Sequence, residues 1–111
     1  MEKRGGRDSV SRYTVYVTPQ AWREIKDLPG HMRQRVKRAI DELKDNPHPS
    51  GSKELEAPED IEAELWRVRL DKWRIVYAIT EADRVIDVLA VRKRPPYDYG
   101  DLETLLAEIS S

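Results

Sequence analysis

The 111-residue sequence predicts an α+β fold, in which a helical hairpin packs on one face of a small, mainly antiparallel sheet. Three observations predict it. Several short stretches alternate apolar and polar residues, which is the period of a strand with one buried face. Between the first two such stretches, apolar residues recur every three or four positions, as on an amphipathic helix. A shorter helical pattern returns at the end, so the predicted order is β-α-α-β-β-β plus a short C-terminal helix.

Residues 12–111 are expected to form one domain, because the length is near the common domain size and no segment repeats. Residues 1–11, MEKRGGRDSVS, offer little to bury and are expected to form a mobile N-terminal arm. No run approaches the roughly 18 apolar residues of a membrane span. We therefore expect a soluble, cytoplasmic protein without a membrane partner.

The first strand is predicted over residues 12–18, where tyrosine and valine side chains alternate with polar positions. Thr18 and Pro19 then predict the start of a helix, because a threonine hydroxyl caps free N–H groups and proline fits the first helical position. The expected buried face of this short helix consists of Trp22, Ile25 and Leu28.

A second helix is predicted over residues 31–44, after Pro29 and Gly30 end the first. Its apolar residues form a stripe with helical spacing, and its opposite side is rich in bases. The stripe consists of Met32, Val36, Ala39, Ile40 and Leu43. The two helices are expected to cover one face of the sheet, which leaves the other face available for binding.

The centre of the predicted sheet is a hairpin whose strands cover residues 65–70 and 73–79. Asp71 and Lys72 fit a two-residue loop, and this register places Arg69 opposite Arg74. Because side chains alternate along each strand, one face is apolar and the other is basic. The apolar face carries Trp66, Val68, Leu70, Trp73, Ile75 and Tyr77. The basic face carries Arg67, Arg69 and Arg74.

The three arginines of the hairpin lie on the same face of the sheet, where their mutual repulsion destabilises it. Like charges directly opposite on a sheet destabilise it by up to about 1 kcal/mol. Arginine forks match phosphate geometry, so the cluster predicts a binding site for an anion. The alternative is an ordinary solvated face, neutralised by the acidic residues in 54–64. The pattern alone does not decide between the two.

A second basic cluster follows the last predicted strand, residues 85–91. Arg92, Lys93 and Arg94 stand where that strand ends, a common place for function on a scaffold. Lys93 and Arg94 are candidates for holding phosphate. Pro95 and Pro96 then stop the strand, because proline lacks an N–H donor.

Two tyrosines follow this cluster. Tyr97 or Tyr99 is a candidate for stacking on a base or transferring a proton, with packing on the sheet edge as the alternative. Asp101 is a candidate cap for the last helix. The apolar stripe of that helix consists of Leu102, Leu105, Leu106 and Ile109.

Several function classes lack support in the sequence. There is no Walker loop, no glycine-rich dinucleotide turn and no zinc spacing, and the absence of cysteine excludes disulfides. His31 and His48 are interpreted as structural, so a Ser/His/Asp nucleophile is rejected. We expect neither a metal nor a cofactor. The net charge of −1 does not indicate a broadly basic nucleic-acid-binding domain, so binding has to depend on the local clusters.

Over roughly residues 12–100, the chain resembles the RelE/ParE toxin superfamily of bacterial type II toxin–antitoxin modules. The resemblance rests on YTVYVTPQAWREIKDLP, on the strand pair LWRVRLDKWRIVYAI, and on the final VLAVRKRPPYDY. For the RelE branch it implies an endonuclease that cuts mRNA in the ribosomal A site. The RNA's own 2′-hydroxyl attacks the adjacent phosphate in that reaction. It also implies a cognate antitoxin as partner, besides the ribosome and mRNA.

Carried over by position, the resemblance assigns roles to the basic clusters. Arg74 matches the strand arginine that stabilises the phosphate, and Arg94 matches the basic residue at the end of the last strand. The expected catalytic residues are Arg74, Arg94, Tyr97 and Tyr99. The expected RNA- or phosphate-binding residues are Arg67, Arg69, Arg92 and Lys93.

Two alternatives to the endonuclease stay open. The ParE branch shares the fold but poisons DNA gyrase without cutting RNA, and it often lacks the basic set that this chain carries. The chain is slightly acidic, whereas members of the family are often basic. An inactive relative that only binds an antitoxin is the other alternative. The arginines favour the endonuclease.

Overall fold

The computed structural model describes residues 12–59, 61–93 and 104–107. In chain order, the elements are β1 (Thr14–Val17), α1 (Pro19–Lys26), α2 (Gly30–Leu43), β2 (Ser52–Leu55), β3 (Glu64–Leu70), β4 (Trp73–Thr80) and β5 (Val85–Lys93). Residues 104–107 are helical and belong to the predicted C-terminal helix. The expected N-terminal arm, residues 1–11, lies outside the described residues.

The strands form one five-stranded sheet in the order β1-β5-β4-β3-β2. β1 runs parallel to β5, and the other three neighbouring pairs are antiparallel. Both faces of β5 are buried along most of its length, which explains why its sequence is almost continuously apolar. The predicted α+β class and the mainly antiparallel sheet are confirmed.

β2 is a strand that the sequence does not predict. It occupies the junction between a turn-rich loop and the acidic run, and it is only four residues long. Its register with β3 places Lys53 opposite Arg67 and Leu55 opposite Leu65. Gly51 precedes it with a φ of +89°, a backbone conformation that glycine adopts readily. The formation of β2 therefore depends on its pairing with β3 and on the turn at Gly51 more than on the strand propensity of its own residues.

The start of α1 agrees with the prediction, but the residues that the helix buries differ from it. The Thr18 hydroxyl accepts a hydrogen bond from the N–H of Ala21 at 3.2 Å, as expected of an N-cap. The buried residues of α1 are Ala21 and Ile25, whereas Trp22 is 43% exposed. The prediction that Trp22 faces the core is thus wrong. Ala21, Ile25 and Leu28 have i, i+4, i+7 spacing, which turns Trp22 outward toward Lys37.

α2 buries the predicted stripe. Met32, Val36, Ile40 and Leu43 are buried, and Ala39 packs against them. Both helices cover the sheet face that carries the apolar side of the β3–β4 hairpin, as expected. Within the described ranges, no helix is long and apolar enough to cross a bilayer.

The β3–β4 hairpin has the predicted register. Arg69 lies opposite Arg74, and Asp71 and Lys72 form the loop between the strands. Asp71 has a φ of +55° and forms an ion pair with Arg35 of α2, which ties the loop to the helical layer. The hairpin is therefore fixed both by its turn and by a helix.

β5 contains one irregularity. Tyr77 pairs with Val88, but Val76 pairs with Ala90, so Leu89 is an extra residue in β5. Leu89 and Ala90 both contribute to a second apolar cluster on the sheet face opposite the helices. Leu105 and Leu106 pack on that cluster, so the described part of the C-terminal helix covers part of this face. We call it the second face.

Candidate functional site

Three arginines on neighbouring strands form a row across the second face. Arg69 of β3 lies opposite Arg74 of β4, and Arg74 lies opposite Arg92 of β5. We call these three residues the arginine row. Neighbouring strands are about 4.8 Å apart, so three positive charges follow one another at close spacing. An anion that bridges them would relieve their repulsion.

Arg74 is the buried member of the row. It is only 3% exposed, and its Nη1 donates hydrogen bonds to the carbonyl oxygens of Asp71 at 3.1 Å and Trp73 at 3.0 Å. Both carbonyls belong to the hairpin end, so the turn itself orients the guanidinium. A charged group held this way needs little reorganisation when it meets an anion.

Arg92 is held from the other side of the row. Its Nε donates to Oε2 of Glu24 at 3.2 Å, and Oε1 of the same carboxylate accepts from the N–H of Val91 at 2.8 Å. Glu24 belongs to α1. The pair is shielded, since the Arg92 and Glu24 side chains are 18% and 20% exposed.

Two further cations widen the basic surface beside the row. Arg67 donates from Nη1 to the carbonyl of Gly51 at 3.1 Å, and Lys53 of β2 lies opposite Arg67 in the register. Arg69 and Lys53 are exposed. Arg67 and Arg69 make no ion pair with the acidic residues that the structure describes. The basic surface consists of Lys53, Arg67, Arg69, Arg74 and Arg92.

The acidic run does not cover this surface where the structure describes it. Four of its glutamates line a cavity of about 500 Å³ beside Leu55 and Leu65, farther along the second face. Leu65 lies opposite Ala78, four pairs along the hairpin from the Arg69–Arg74 pair. The alternative of a face neutralised by its neighbouring acids therefore finds no support at Arg67 and Arg69.

The structure separates the predicted site residues into three groups. Arg67, Arg69, Arg74 and Arg92 are brought together. Lys93 is not, because it lies opposite Trp73, whose side chain packs in the helical layer. The last group lies outside the described residues and consists of Arg94, Tyr97 and Tyr99.

Lys53 and Glu24 are the site residues that the sequence did not reveal. Lys53 belongs to the unpredicted strand β2, and its only signal is a short alternation with Leu55 on the same face. Glu24 lies 68 positions from Arg92 in the chain, so no local pattern joins them. Both require the fold to be known.

The two histidines lie away from the arginine row. His48 packs its ring on Trp66 with centroids 4.3 Å apart, and Trp66 belongs to the helical side of the sheet. His31 stands in the first turn of α2. The described residues include no group of His, Asp and Glu side chains arranged to hold a metal ion.

The sequence and the fold match a known family. The family model described as "ParE toxin of type II toxin-antitoxin system, parDE" matches residues 15–95. The chain belongs to the RelE/ParE toxin superfamily. It is thus related to the toxin components of type II toxin–antitoxin systems, and the resemblance inferred from the sequence is confirmed.

Individual RelE toxins are similar to this RelE/ParE chain. A protein of Methanocaldococcus jannaschii named as a RelE1 toxin is 28% identical over 83 residues, which cover 75% of this chain and 91% of that protein. The archaeal RelE–RelB complex from Pyrococcus horikoshii contains a chain with 27% identity and a TM-score of 0.67. That match covers 78% of this chain and 99% of the other.

A bacterial toxin shares the fold at lower identity. The toxin–antitoxin complex RelBE2 from Mycobacterium tuberculosis contains a chain with 24% identity and a TM-score of 0.63. The match covers 77% of this chain and 100% of the other. The RelE/ParE fold therefore accounts for the described sheet and helices.

Proposed function

We propose that this toxin is an endonuclease that cuts mRNA on the translating ribosome. The observation that carries the proposal is the arginine row, in which buried Arg74 lies between Arg69 and Arg92. A row of guanidiniums with one member fixed by backbone carbonyls fits a phosphate whose negative charge grows during the reaction. The named similarity to RelE toxins supports the same proposal.

The proposed chemistry uses the substrate's own hydroxyl as nucleophile. The 2′-oxygen attacks the adjacent phosphorus and loses its proton, a bond to the 2′-oxygen forms, and the bond to the 5′-oxygen breaks. The leaving 5′-oxygen takes up a proton, which leaves a 2′,3′-cyclic phosphate and a 5′-hydroxyl end. Arg74 and Arg92 stabilise the charge on the non-bridging oxygens, while Arg67, Arg69 and Lys53 hold the flanking backbone.

Residues outside the described ranges complete the proposed site. The family resemblance assigns Arg94 to the phosphate and Tyr97 or Tyr99 to stacking or proton transfer. An unperturbed tyrosine has a pKa near 10, so proton transfer by either tyrosine would need nearby cations to lower that pKa. Arg92 and Arg94 are such cations in the sequence.

The test is a translating extract with a defined mRNA. The wild-type protein is expected to produce cuts at codon-related positions, and Arg74→Ala is expected to abolish them. Lys93→Ala, which removes one charge from the opposite face, is the matched control and should cut normally. Intact mRNA in the presence of folded wild-type protein would refute the endonuclease.

We also propose that a RelB-type antitoxin binds and neutralises this toxin. The similar toxin from Pyrococcus horikoshii was solved as a complex with RelB. Co-expression with the product of a neighbouring gene should abolish growth arrest and yield a stable complex by size exclusion. Growth that is unaffected by the toxin alone would instead favour an inactive relative that only binds such a partner.

Inhibition of DNA gyrase is the second candidate function. The observation that favours it is the matching family model, which describes ParE toxins. A supercoiling assay with purified gyrase tests it, since an inhibitor of this type should trap gyrase–DNA complexes. Normal supercoiling at high toxin concentration, together with mRNA cuts in the extract, would select the endonuclease.

A further inference from the structure

Glu24 reaches the arginine row from the helical layer and contacts two consecutive residues of β5. One carboxylate oxygen accepts from the N–H of Val91, and the other accepts from Nε of Arg92. A carboxylate that accepts two hydrogen bonds in a shielded position is held more firmly than an exposed ion pair. Glu24 therefore fixes the backbone of β5 and one of its side chains at once.

None of the strands that the structure describes pairs with this edge of β5 beyond Val88, so a side chain can bind there. β1 pairs with β5 only as far as Val88, whose carbonyl accepts from the N–H of Thr18 at 3.1 Å. The chain then turns into α1, and Glu24 supplies the acceptor that a longer neighbouring strand would have supplied. A shielded N–H needs such an acceptor.

The carboxylate is itself oriented by its own helix. Gln20, one turn earlier in α1, donates from Nε2 to Oε2 of Glu24 at 3.0 Å, and its Oε1 accepts from Arg23 at 2.9 Å. A connected chain of hydrogen bonds thus runs from the surface of α1 to Arg92. Such a support reduces the rotameric freedom of the group that it holds.

We propose that Glu24 is a positioning residue for the toxin's reaction, because it aims the Arg92 guanidinium along the row toward the scissile phosphate. This inference rests on the proposed endonuclease function. Glu24 also has an opposite effect, since its negative charge weakens the attraction between the basic surface and RNA. Removal of Glu24 should slow the reaction through the loss of positioning, but should strengthen RNA binding through the loss of its negative charge. Measurements of kcat and KM can therefore separate the two effects.

The test compares Glu24→Ala, Arg92→Ala and the double variant with wild type in the ribosome-dependent cleavage assay. We expect Glu24→Ala to lower kcat by about 10-fold or more, since misplacing a catalytic group slows chemistry, while KM stays equal or falls. In the Arg92→Ala background, removal of Glu24 should have little further effect, because the two residues act as one unit.

Conservative variants and a matched control complete the kinetic test. Glu24→Gln keeps one oxygen that can accept from Nε of Arg92 and should recover part of the rate. Glu24→Asp keeps the charge but shortens the reach, so it should lose kcat without a change in the salt dependence of RNA binding. This variant carries the test if Glu24→Ala does not fold. Glu42→Ala removes the same charge from an exposed position of α2 and should leave kcat unchanged.

A measurement without substrate distinguishes failure of this inference from failure of the endonuclease proposal. The Nε–H signal of Arg92 in NMR spectra should be protected from solvent exchange in wild type and lose protection in Glu24→Ala. If Nε–H of Arg92 stays protected in Glu24→Ala, the inference is wrong. It is also wrong if Glu24→Ala has the wild-type kcat, or if removal of Glu24 lowers kcat just as much when Arg92 is already replaced by alanine. If the wild-type protein cuts no mRNA, both the endonuclease proposal and the positioning role in that reaction are refuted. The NMR signal of the Arg92 Nε–H still shows whether Glu24 holds Arg92.

Discussion

Arg69 and Arg74 lie directly opposite each other on β3 and β4, yet Arg69 is exposed and Arg74 is almost completely buried. Arg74 also has contacts at the hairpin end, where the carbonyls of Asp71 and Trp73 accept hydrogen bonds from its guanidinium. We propose that the same residue type therefore has two roles in binding RNA. An exposed arginine attracts a polyanion over a distance, whereas a fixed one recognises a single phosphate.

The two arginines should respond differently to replacement by lysine. Arg74→Lys keeps the charge but loses the planar fork that reaches backbone carbonyl and phosphate together. We expect mRNA cleavage to fall by about 100-fold or more in Arg74→Lys. Arg69→Lys, at the exposed opposite position, should change the rate only slightly. Initial cleavage rates measure both, and equal losses would contradict the assigned difference.

Lys53 and Lys93 should also differ, because only Lys53 belongs to the basic surface. Lys53 lies on the second face, whereas Lys93 lies in the opposite phase. Each phosphate contact contributes about one counterion to the salt dependence of binding. In Lys53→Ala, the slope of log K against log salt for a single-stranded RNA should therefore fall in magnitude by about 0.7. Lys93→Ala should keep the wild-type slope, and the reverse result would show that the RNA follows the other face.

The carboxyl group of Asp87 should make the stability of the protein depend on pH. Burial raises the pKa of the Asp87 carboxyl above its ordinary value. The folded state therefore holds this proton more tightly than the unfolded state does. The resulting stabilisation is present at acid pH and is lost as the pH rises through the raised pKa.

Asp87→Asn, which cannot ionise, should therefore be more stable than wild type at pH 7, and the difference should close toward pH 3. Midpoints of urea unfolding at several pH values measure this. Asp83→Asn, at an exposed position, is the control and should show no such trend. A gap that widens at acid pH would contradict the assignment.

The N-cap formed by Thr18 should contribute to the stability of the protein. Its hydroxyl caps α1, the helix that carries Glu24. Thr18→Ala should lower the free energy of unfolding by about 1 kcal/mol, whereas Thr18→Ser should retain most of it because the oxygen remains. Chemical denaturation compares the variants. Equal losses in both would show that the methyl group, and not the cap, is responsible.

Strict alternation made the hairpin predictable from sequence. From Leu65 to Tyr77, a shift of one residue would expose every apolar side chain, so the register that buries them is strongly preferred. The pairing of Arg69 with Arg74 follows directly. The arginines of the hairpin were therefore identified together with the face on which they lie.

Other parts of the site could not be predicted because they depend on distant partners. β2 is stabilised by pairing with β3, so Lys53 has no role until that pairing is known. Glu24 meets Arg92 only after α1 packs beside β5. Trp22 was misassigned because a short helix admits two apolar faces, and packing of Ala21 selects the other one.

The extra residue at Leu89 decides which side chains of β5 lie on the second face of the sheet. Asp87 and Arg92 are five positions apart, an odd separation that would place them on opposite faces of a regular strand. Because the pairing skips one residue, both point away from the helices. In a regular strand that kept Leu89 as a paired residue, Val91 would lie opposite Arg74 and Arg92 would point into the helical layer. Deletion of Leu89 would remove the extra residue and leave Arg92 opposite Arg74. Counting along β5 therefore assigns a side chain to the wrong face unless the extra residue is taken into account.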